Sequence, residues 1–214
     1  MEIIVLLALT ASTGFTIMAC FARSTRRTIH FLVLQATAIG FVELMYCLIS
    51  LILGLQLEAL IEFFATFAEW FSCAAVSPLI IYWGMIKTEN NVDQPVIGVR
   101  NATILVAVMT VTYLVLGTWL LPLLSPRFEA LPFSVFILSL SVSLMATRRD
   151  PLKILVGLNM AENALYPLTA ESPLSLIPFM LVLMIFVNVV GVFVITEAYR
   201  EYGTLSVTKW RWTG

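Results

Sequence analysis

Residues 174–199 read LSLIPFMLVLMIFVNVVGVFVITEAY, and this stretch decides what kind of protein the chain is. Twenty consecutive apolar residues in a helix cover about 30 Å, the thickness of the hydrocarbon layer of a bilayer. Asn188 is the only strongly polar residue in the central half of the stretch, and its one charged residue, Glu197, lies near the end. The stretch is therefore predicted to be a transmembrane helix.

The whole chain shares this apolar character. Of its 214 residues, 60% are hydrophobic and 12% are charged, and the mean hydropathy is +0.98, whereas a soluble domain carries about 25% charged residues. No water-soluble core can cover that much apolar surface, and the net charge of −1 provides no basic face for nucleic acid. We therefore expect a single all-α membrane domain, 1–214. Its seven predicted spans lie at 2–22, 29–55, 58–86, 99–124, 131–147, 152–170 and 174–199.

The basic residues predict the orientation. With seven spans, the first, third and fifth loops share one side with the C-terminal tail, and every Lys and Arg except Arg127 lies in or beside them. We expect this side to be cytoplasmic and the N-terminus to be outside. Ser24-Thr-Arg-Arg27 and Ala146-Thr-Arg-Arg149 also suggest two three-helix units, 1–86 and 131–200, linked by helix 99–124. Because basic loops recur through topology alone, this division stays open.

Three carboxyl groups lie far from any predicted span end: Glu43, Glu69 and Glu162. A charged carboxylate at the centre of a membrane helix costs about 2.5–3.5 kcal/mol on insertion scales, so such residues mark candidate proton or ion paths. Gln35 and Glu43 lie about 80° apart around span 2 and are expected to line one broad face.

Span 3 carries a polar stripe. Its members recur at intervals of four and three residues and so share one helical face: Glu62, Thr66, Glu69, Cys73 and Ser77. Pro78 follows and is expected to loosen the helix one turn before it. Two interpretations stay open, a path for ions and polar packing between helices.

Span 6 carries Asn159, Glu162 and Asn163 at i, i+3 and i+4, with Tyr166 one turn further. Counting from the cytoplasmic ends places Glu162 and Asn188 at similar depths, so we expect a hydrogen bond between them. These residues are candidates for a proton relay or for purely structural contacts.

The sequence shows no catalytic site of its own, and whether the chain acts within an enzyme complex is left open. Cys20, Cys47 and Cys73 all lie in apolar stretches and are interpreted as small buried residues without disulfides. His30 is the only histidine, and no zinc, haem, nucleotide or hydrolase motif is present. No cofactor is therefore expected in this chain.

The run from Thr147 to Asn163, TRRDPLKILVGLNMAEN, resembles the basic loop and following helix of the small K subunit of respiratory complex I and of related antiporter subunits. The chain resembles the hydrogenase-4 component E family more closely, in its length, in Glu162-Asn163, in the tail Gly203-Thr-Leu-Ser-Val207, and in the run 76–80. Where the complex I subunit has carboxylates, this chain has Asn159 and Asn188.

The resemblance implies a non-catalytic membrane-arm subunit of an energy-converting nickel–iron hydrogenase or complex I-like assembly in the prokaryotic inner membrane. It implies that Glu162, with Glu69 and Glu43, contributes to proton or sodium translocation. Its partners would be antiporter-like and other membrane-arm subunits and the hydrogenase large and small subunits, which would hold the nickel–iron centre and iron–sulfur clusters. An independent small ion or solute transporter and a scaffold with buried polar contacts are the alternatives.

Overall fold

The computed structural model describes residues 2–117, 131–166, 176–207 and 210. These residues form seven helices and no β-sheet, which confirms the all-α prediction. The helices are α1 (Glu2–Phe21), α2 (Thr25–Ile52), α3 (Gln56–Phe71, then a π-helical turn at Ser72–Val76, then Ser77–Lys87), α4 (Val99–Thr112, then a π-helical turn at Tyr113–Gly117), α5 (Leu131–Thr147), α6 (Pro151–Asn163) and α7 (Leu176–Tyr202). The predicted span residues 118–124, 167–170 and 174–175, and Arg127 in the fourth loop, lie outside the described residues.

Four stretches within these helices are long and apolar enough to cross a bilayer: Ile3–Phe21, Thr25–Ile52, Ala59–Lys87 and Pro178–Tyr202. Two shorter apolar stretches, Val99–Val115 and Leu131–Thr147, accompany them. The outward faces are apolar as well; on α7, for example, Phe179, Val182, Phe186 and Phe193 are 61% to 68% exposed. An apolar exterior of this extent suits lipid and not water.

Local signals explain where the helices begin and end. Ser24 caps α2 by accepting a hydrogen bond from the backbone N–H of Arg27, and Asp150 caps α6 by accepting from that of Leu152. After α2, Gly54 adopts a φ of +83°, a conformation that favours glycine and turns the chain into α3.

The π-helical turn in α3 lies one turn before Pro78, where the sequence predicted a loosened helix. The N–H of Ser77 donates to the carbonyl of Ser72, five residues earlier. Proline has no N–H, so its presence just after this turn leaves a carbonyl there without the usual helical donor. The extra residue in the turn rotates the second half of α3 relative to the first.

The first, third and fifth loops and the C-terminal tail are hydrogen-bonded to one another. Asp93 N–H donates to the Arg23 carbonyl, Val96 N–H to that of Thr147, and Val207 N–H to that of Arg149. The four segments therefore lie at one end of the bundle, where the sequence predicted them together. Within the bundle, α1 packs on α2 and α5, and α2 packs on α3 and α6.

The three cysteines are buried and free, so the interpretation of them as small buried residues without disulfides is confirmed. His30 is exposed on the first turns of α2.

Candidate functional site

The amides predicted on spans 6 and 7 bond to each other. Asn159 on α6 and Asn188 on α7 exchange two hydrogen bonds of 2.8 Å, each Nδ2 donating to the Oδ1 of the other. The Asn188 Nδ2 also lies 3.1 Å from Ser77 Oγ on α3. All three side chains are buried, so this contact joins α3, α6 and α7 in the interior of the bundle.

The predicted hydrogen bond between Glu162 and Asn188 is wrong. Three residues turn an α-helix by about 300°, so Glu162 points about 60° away from Asn159, which faces α7. Glu162 Oε1 instead accepts from Tyr166 Oη at 3.4 Å. The Asn188 amide is engaged by Asn159, by Ser77 and by the carbonyl of Met184.

A second amide contact joins α2 to α6. Asn163 Nδ2 donates to Gln35 Oε1 at 3.0 Å, and Gln35 Nε2 donates to the carbonyl of Met160 at 3.1 Å. Gln35 and Asn163 are both fully enclosed. The sequence placed both residues among the polar groups of their spans but could not pair them.

The two carboxyl groups from the middle of spans 2 and 3 come together. Glu43 on α2 and Glu69 on α3 are 8% and 5% exposed and lie within hydrogen-bonding reach of each other. A hydrogen bond between two carboxyl groups requires one of them to carry a proton. Both line a small cavity whose other polar walls are Cys73, Asn163 and Tyr166.

The remaining candidates lie outside this cavity. Glu162 is half-buried beside Tyr166, one side chain away from the cavity wall. Glu62, at the start of the stripe on α3, lies near Cys47 and contributes nothing to the cavity. The stripe is therefore divided, because only its second half, from Glu69 onward, faces the interior.

Sequence reasoning missed a buried ion cluster at the loop end of the bundle. Asp93 in the third loop pairs with Arg148 (3.1 Å) and with Lys153, whose side chains are both 0% exposed. Arg148 Nη2 also donates to the carbonyl of Cys20 and Lys153 Nζ to that of Arg23, both at 2.6 Å. The signal in the sequence was a lysine at the second position of the apolar span 152–170, where it also serves as a marker of topology.

Asp150 lies beside this cluster. Its Oδ2 accepts from Thr25 Oγ1 at 2.6 Å, and its Oδ1 accepts from the Leu152 N–H at 2.9 Å. Burial raises the pKa of Asp150 from its usual 3.8 to about 6, although the hydrogen bond from Thr25 and the nearby Lys153 ammonium lower it. This carboxyl is therefore poised to titrate near neutral pH.

The buried polar groups have different chemical capacities. Amides do not gain or lose protons near neutral pH, so the Asn159–Asn188 and Gln35–Asn163 contacts can orient and hold but not relay charge on their own. Glu43, Glu69 and Glu162 can each take and release a proton. Three or more His, Cys, Asp or Glu side chains do not gather into a metal-binding group anywhere in the described part of the chain.

Comparison of the chain with protein-family models, with curated proteins and with solved structures found no match.

Proposed function

We propose that this chain is a non-catalytic membrane-arm subunit of an energy-converting nickel–iron hydrogenase or of a complex I-like assembly, and that it contributes to proton or sodium translocation. The observation that supports this proposal is the Glu43–Glu69 pair, buried inside a helical bundle with an apolar exterior. Such carboxyls are expensive in a bilayer interior and are typical of ion paths.

In this proposal the bundle crosses the prokaryotic inner membrane seven times, with the N-terminus outside and the loop end in the cytoplasm. The Lys and Arg residues of the first, third and fifth loops support that orientation. Glu43 and Glu69 take up and release the ion at mid-depth, and Glu162, next to Tyr166, continues the path along α6. Asn159, Asn188 and Asn163 hold the helices in register around it.

The partners in this assembly are antiporter-like membrane subunits and the hydrogenase large and small subunits. The redox chemistry takes place at a nickel–iron centre and iron–sulfur clusters in those partners. The contribution of this chain is a polar connection through the bilayer, whose carboxyls can change their protonation when a neighbouring subunit moves.

Ion pumping by the intact complex tests the proposal. Glu43→Gln and Glu69→Gln each remove one titratable group and keep the shape of the side chain, so we expect pumping in inverted membrane vesicles to fall severalfold while electron transfer continues. Glu162→Gln tests the extension along α6 in the same way. Glu197→Gln is the matched control, because this exposed residue at the end of α7 pairs with Arg200 and with no other described residue.

Unchanged ion movement per electron in both Glu43→Gln and Glu69→Gln would contradict the translocation role. An isolated transporter would instead move an ion or solute in proteoliposomes that contain this chain alone, and the same two variants would abolish that movement.

A further inference from the structure

The cavity beside Glu43 and Glu69 has room for a single small ligand. Its volume is about 10 Å³, which is the lower limit for one water molecule or one ion of similar size. One wall is Trp70, which packs directly on α2 at Gly40, where a Cβ would lie 2.7 Å from the Trp70 ring. The indole separates the cavity from an apolar groove between α2 and α3, which is lined by Phe41, Phe63 and other side chains.

Two oxygen atoms at this cavity have no hydrogen-bond partner among the described residues: Glu43 Oε1 and Asn163 Oδ1. Both side chains are more than nine-tenths buried, with 8% and 1% exposure. The Asn163 oxygen can only accept, and the Asn163 NH₂ group is already bonded to Gln35. The Glu43 oxygen is also an acceptor when Glu69 is the member of the pair that carries the proton. A buried acceptor without a partner costs about 1–3 kcal/mol. A hydrogen-bond donor or a cation bound in the cavity would satisfy both oxygen atoms and remove this cost.

The charge around the cavity favours a cation. The ion pairs of the described residues lie at Asp93 and at Glu197, and no Lys or Arg pairs with Glu43 or Glu69. The other titratable groups that face this site are Cys73 on α3, Tyr166 after α6 and Glu162 on α6. None of these carries a positive charge, so within the described part of the chain the positive charge available to the pair is its own proton or an ion from solution.

We propose that this cavity is a binding site for one Na⁺ ion, held by Glu43, Glu69 and the amide oxygen of Asn163. This inference rests on the proposed function and names its ion. One Na⁺ enters as the proton shared by the two carboxyls leaves, so the net charge of the site is unchanged. Carboxylate and amide oxygens are the ligands of hard cations, and a monovalent ion can replace the single shared proton without changing the charge of the buried site.

Labelling with a hydrophobic carbodiimide, which reacts with protonated carboxyls in membranes, tests this site in the full chain. The purified protein in lipid nanodiscs is treated in NaCl or in N-methylglucamine chloride at equal ionic strength, and labelled peptides are quantified by mass spectrometry. At a Na⁺ concentration ten times the dissociation constant, we expect labelling of Glu43 and Glu69 to slow about elevenfold, since the ion displaces the reactive proton. Glu62, which lies near Cys47 and does not line the cavity, is the internal reference and is expected to react equally in both salts.

Glu43→Gln gives a second measurement. The glutamine amide can donate to Asn163 Oδ1, so in this variant the buried oxygen has a partner without a cation. The variant is therefore expected to fold. The wild-type chain and the control Glu197→Gln are expected to melt at a higher temperature in NaCl than in N-methylglucamine chloride. Glu43→Gln is expected to lose this difference.

Labelling of Glu43 and Glu69 that depends on pH but is the same in both salts would overturn the sodium site and leave a proton path in place. The absence of a sodium-specific shift in the melting temperature of the wild-type chain would overturn it as well, including where the carbodiimide does not reach the carboxyls. Neither result bears on partner subunits or pumping, so failure here is distinguishable from failure of the proposed function.

Discussion

Paired amides are the main polar contact between α6 and α7 at the scale of single residues. Asn159 and Asn188 each supply one donor and one acceptor to the other, so two amides are buried without an unpaired oxygen between them. Removing one partner leaves the other unsatisfied, whereas removing both leaves an apolar contact. Comparing single and double variants therefore separates the free energy of the hydrogen bonds from that of the packing of the two side chains.

We expect Asn188→Leu to destabilise the bundle by about 1–3 kcal/mol, because the Asn159 carbonyl oxygen is left buried and unpaired. The double variant Asn159→Leu/Asn188→Leu is expected to recover most of that loss. Reversible unfolding in mixed micelles measures both. If the double variant is as unstable as the sum of the two single variants, the amides are not coupled and this account of the contact is wrong.

Asp150 gives the stability of the chain a dependence on pH. Its pKa is raised by burial to about 6, so the folded chain holds a proton there that the unfolded chain releases near pH 3.8. The favourable contribution of that proton is present at low pH and is lost as the pH rises through about 6. Asp150→Asn keeps the cap and cannot titrate, so we expect the melting temperature of the wild type relative to this variant to fall between about pH 4 and pH 6, the window that the two pKa values set.

Thermal melts of both proteins in one detergent at several pH values provide the measurement. Each pH unit in the window between the two pKa values is worth about 1.4 kcal/mol, which is large enough to detect. A difference in melting temperature that stays constant from about pH 4 to pH 6 would show that Asp150 does not titrate in this range.

The rotation of residues around a helix limits what the sequence predicts at this scale. Depth was predictable, because each residue adds a fixed rise, and the choice of Asn159, Asn163 and Asn188 as buried polar residues followed from it. The hydrogen-bond partner of Asn188 was not predictable, because Glu162 and Asn159 differ by only about 60° around α6 and either could face α7. The partner is decided by tertiary packing, which leaves no local signal.

Close packing of glycines on neighbouring helices matters at the scale of elements. A Cβ at Gly84 on α3 would lie 2.7 Å from Val192 on α7, whereas a Cβ at Gly14 on α1 would meet nothing within 4 Å. We expect Gly84→Ala to destabilise the bundle, because the β-branched valine cannot move away without shifting α7. Gly14→Ala is the matched control and is expected to be neutral or slightly stabilising, since alanine favours helix.

Unfolding midpoints of the two variants in the same micelles test this contact. Equal stability of Gly84→Ala and Gly14→Ala would mean that α3 and α7 do not approach each other as closely as described.

The helices themselves were largely predictable from apolar periodicity and from the polar separators, and so was the disturbance before Pro78. Its form was not. Either a kink or a π-helical turn can accommodate the N–H that proline lacks. The π-helical turn also rotates the second half of α3, where Ser77 contacts Asn188.

At the scale of the whole molecule, ion pairs connect the segments at the loop end of the bundle, and hydrogen-bonded amides and paired carboxyls connect the helices in its interior. The odd number of spans predicted which loops share an end, and the hydrogen bonds among those loops agree with it. The role of Asp93 was not predictable, because a loop residue shows no periodicity that would reveal the helices it docks against. Its two buried partners, Arg148 and Lys153, fix the third loop across the ends of α1 and α6.

Isolation of the tagged chain in mild detergent, followed by mass spectrometry of the proteins that co-purify with it, tests most directly whether it is a subunit of a larger redox assembly. The account predicts antiporter-like membrane subunits and hydrogenase large and small subunits in fixed proportion to this chain. A chain that purifies alone, or only with copies of itself, would contradict the account and would make Glu43 and Glu69 the site of an independent transporter.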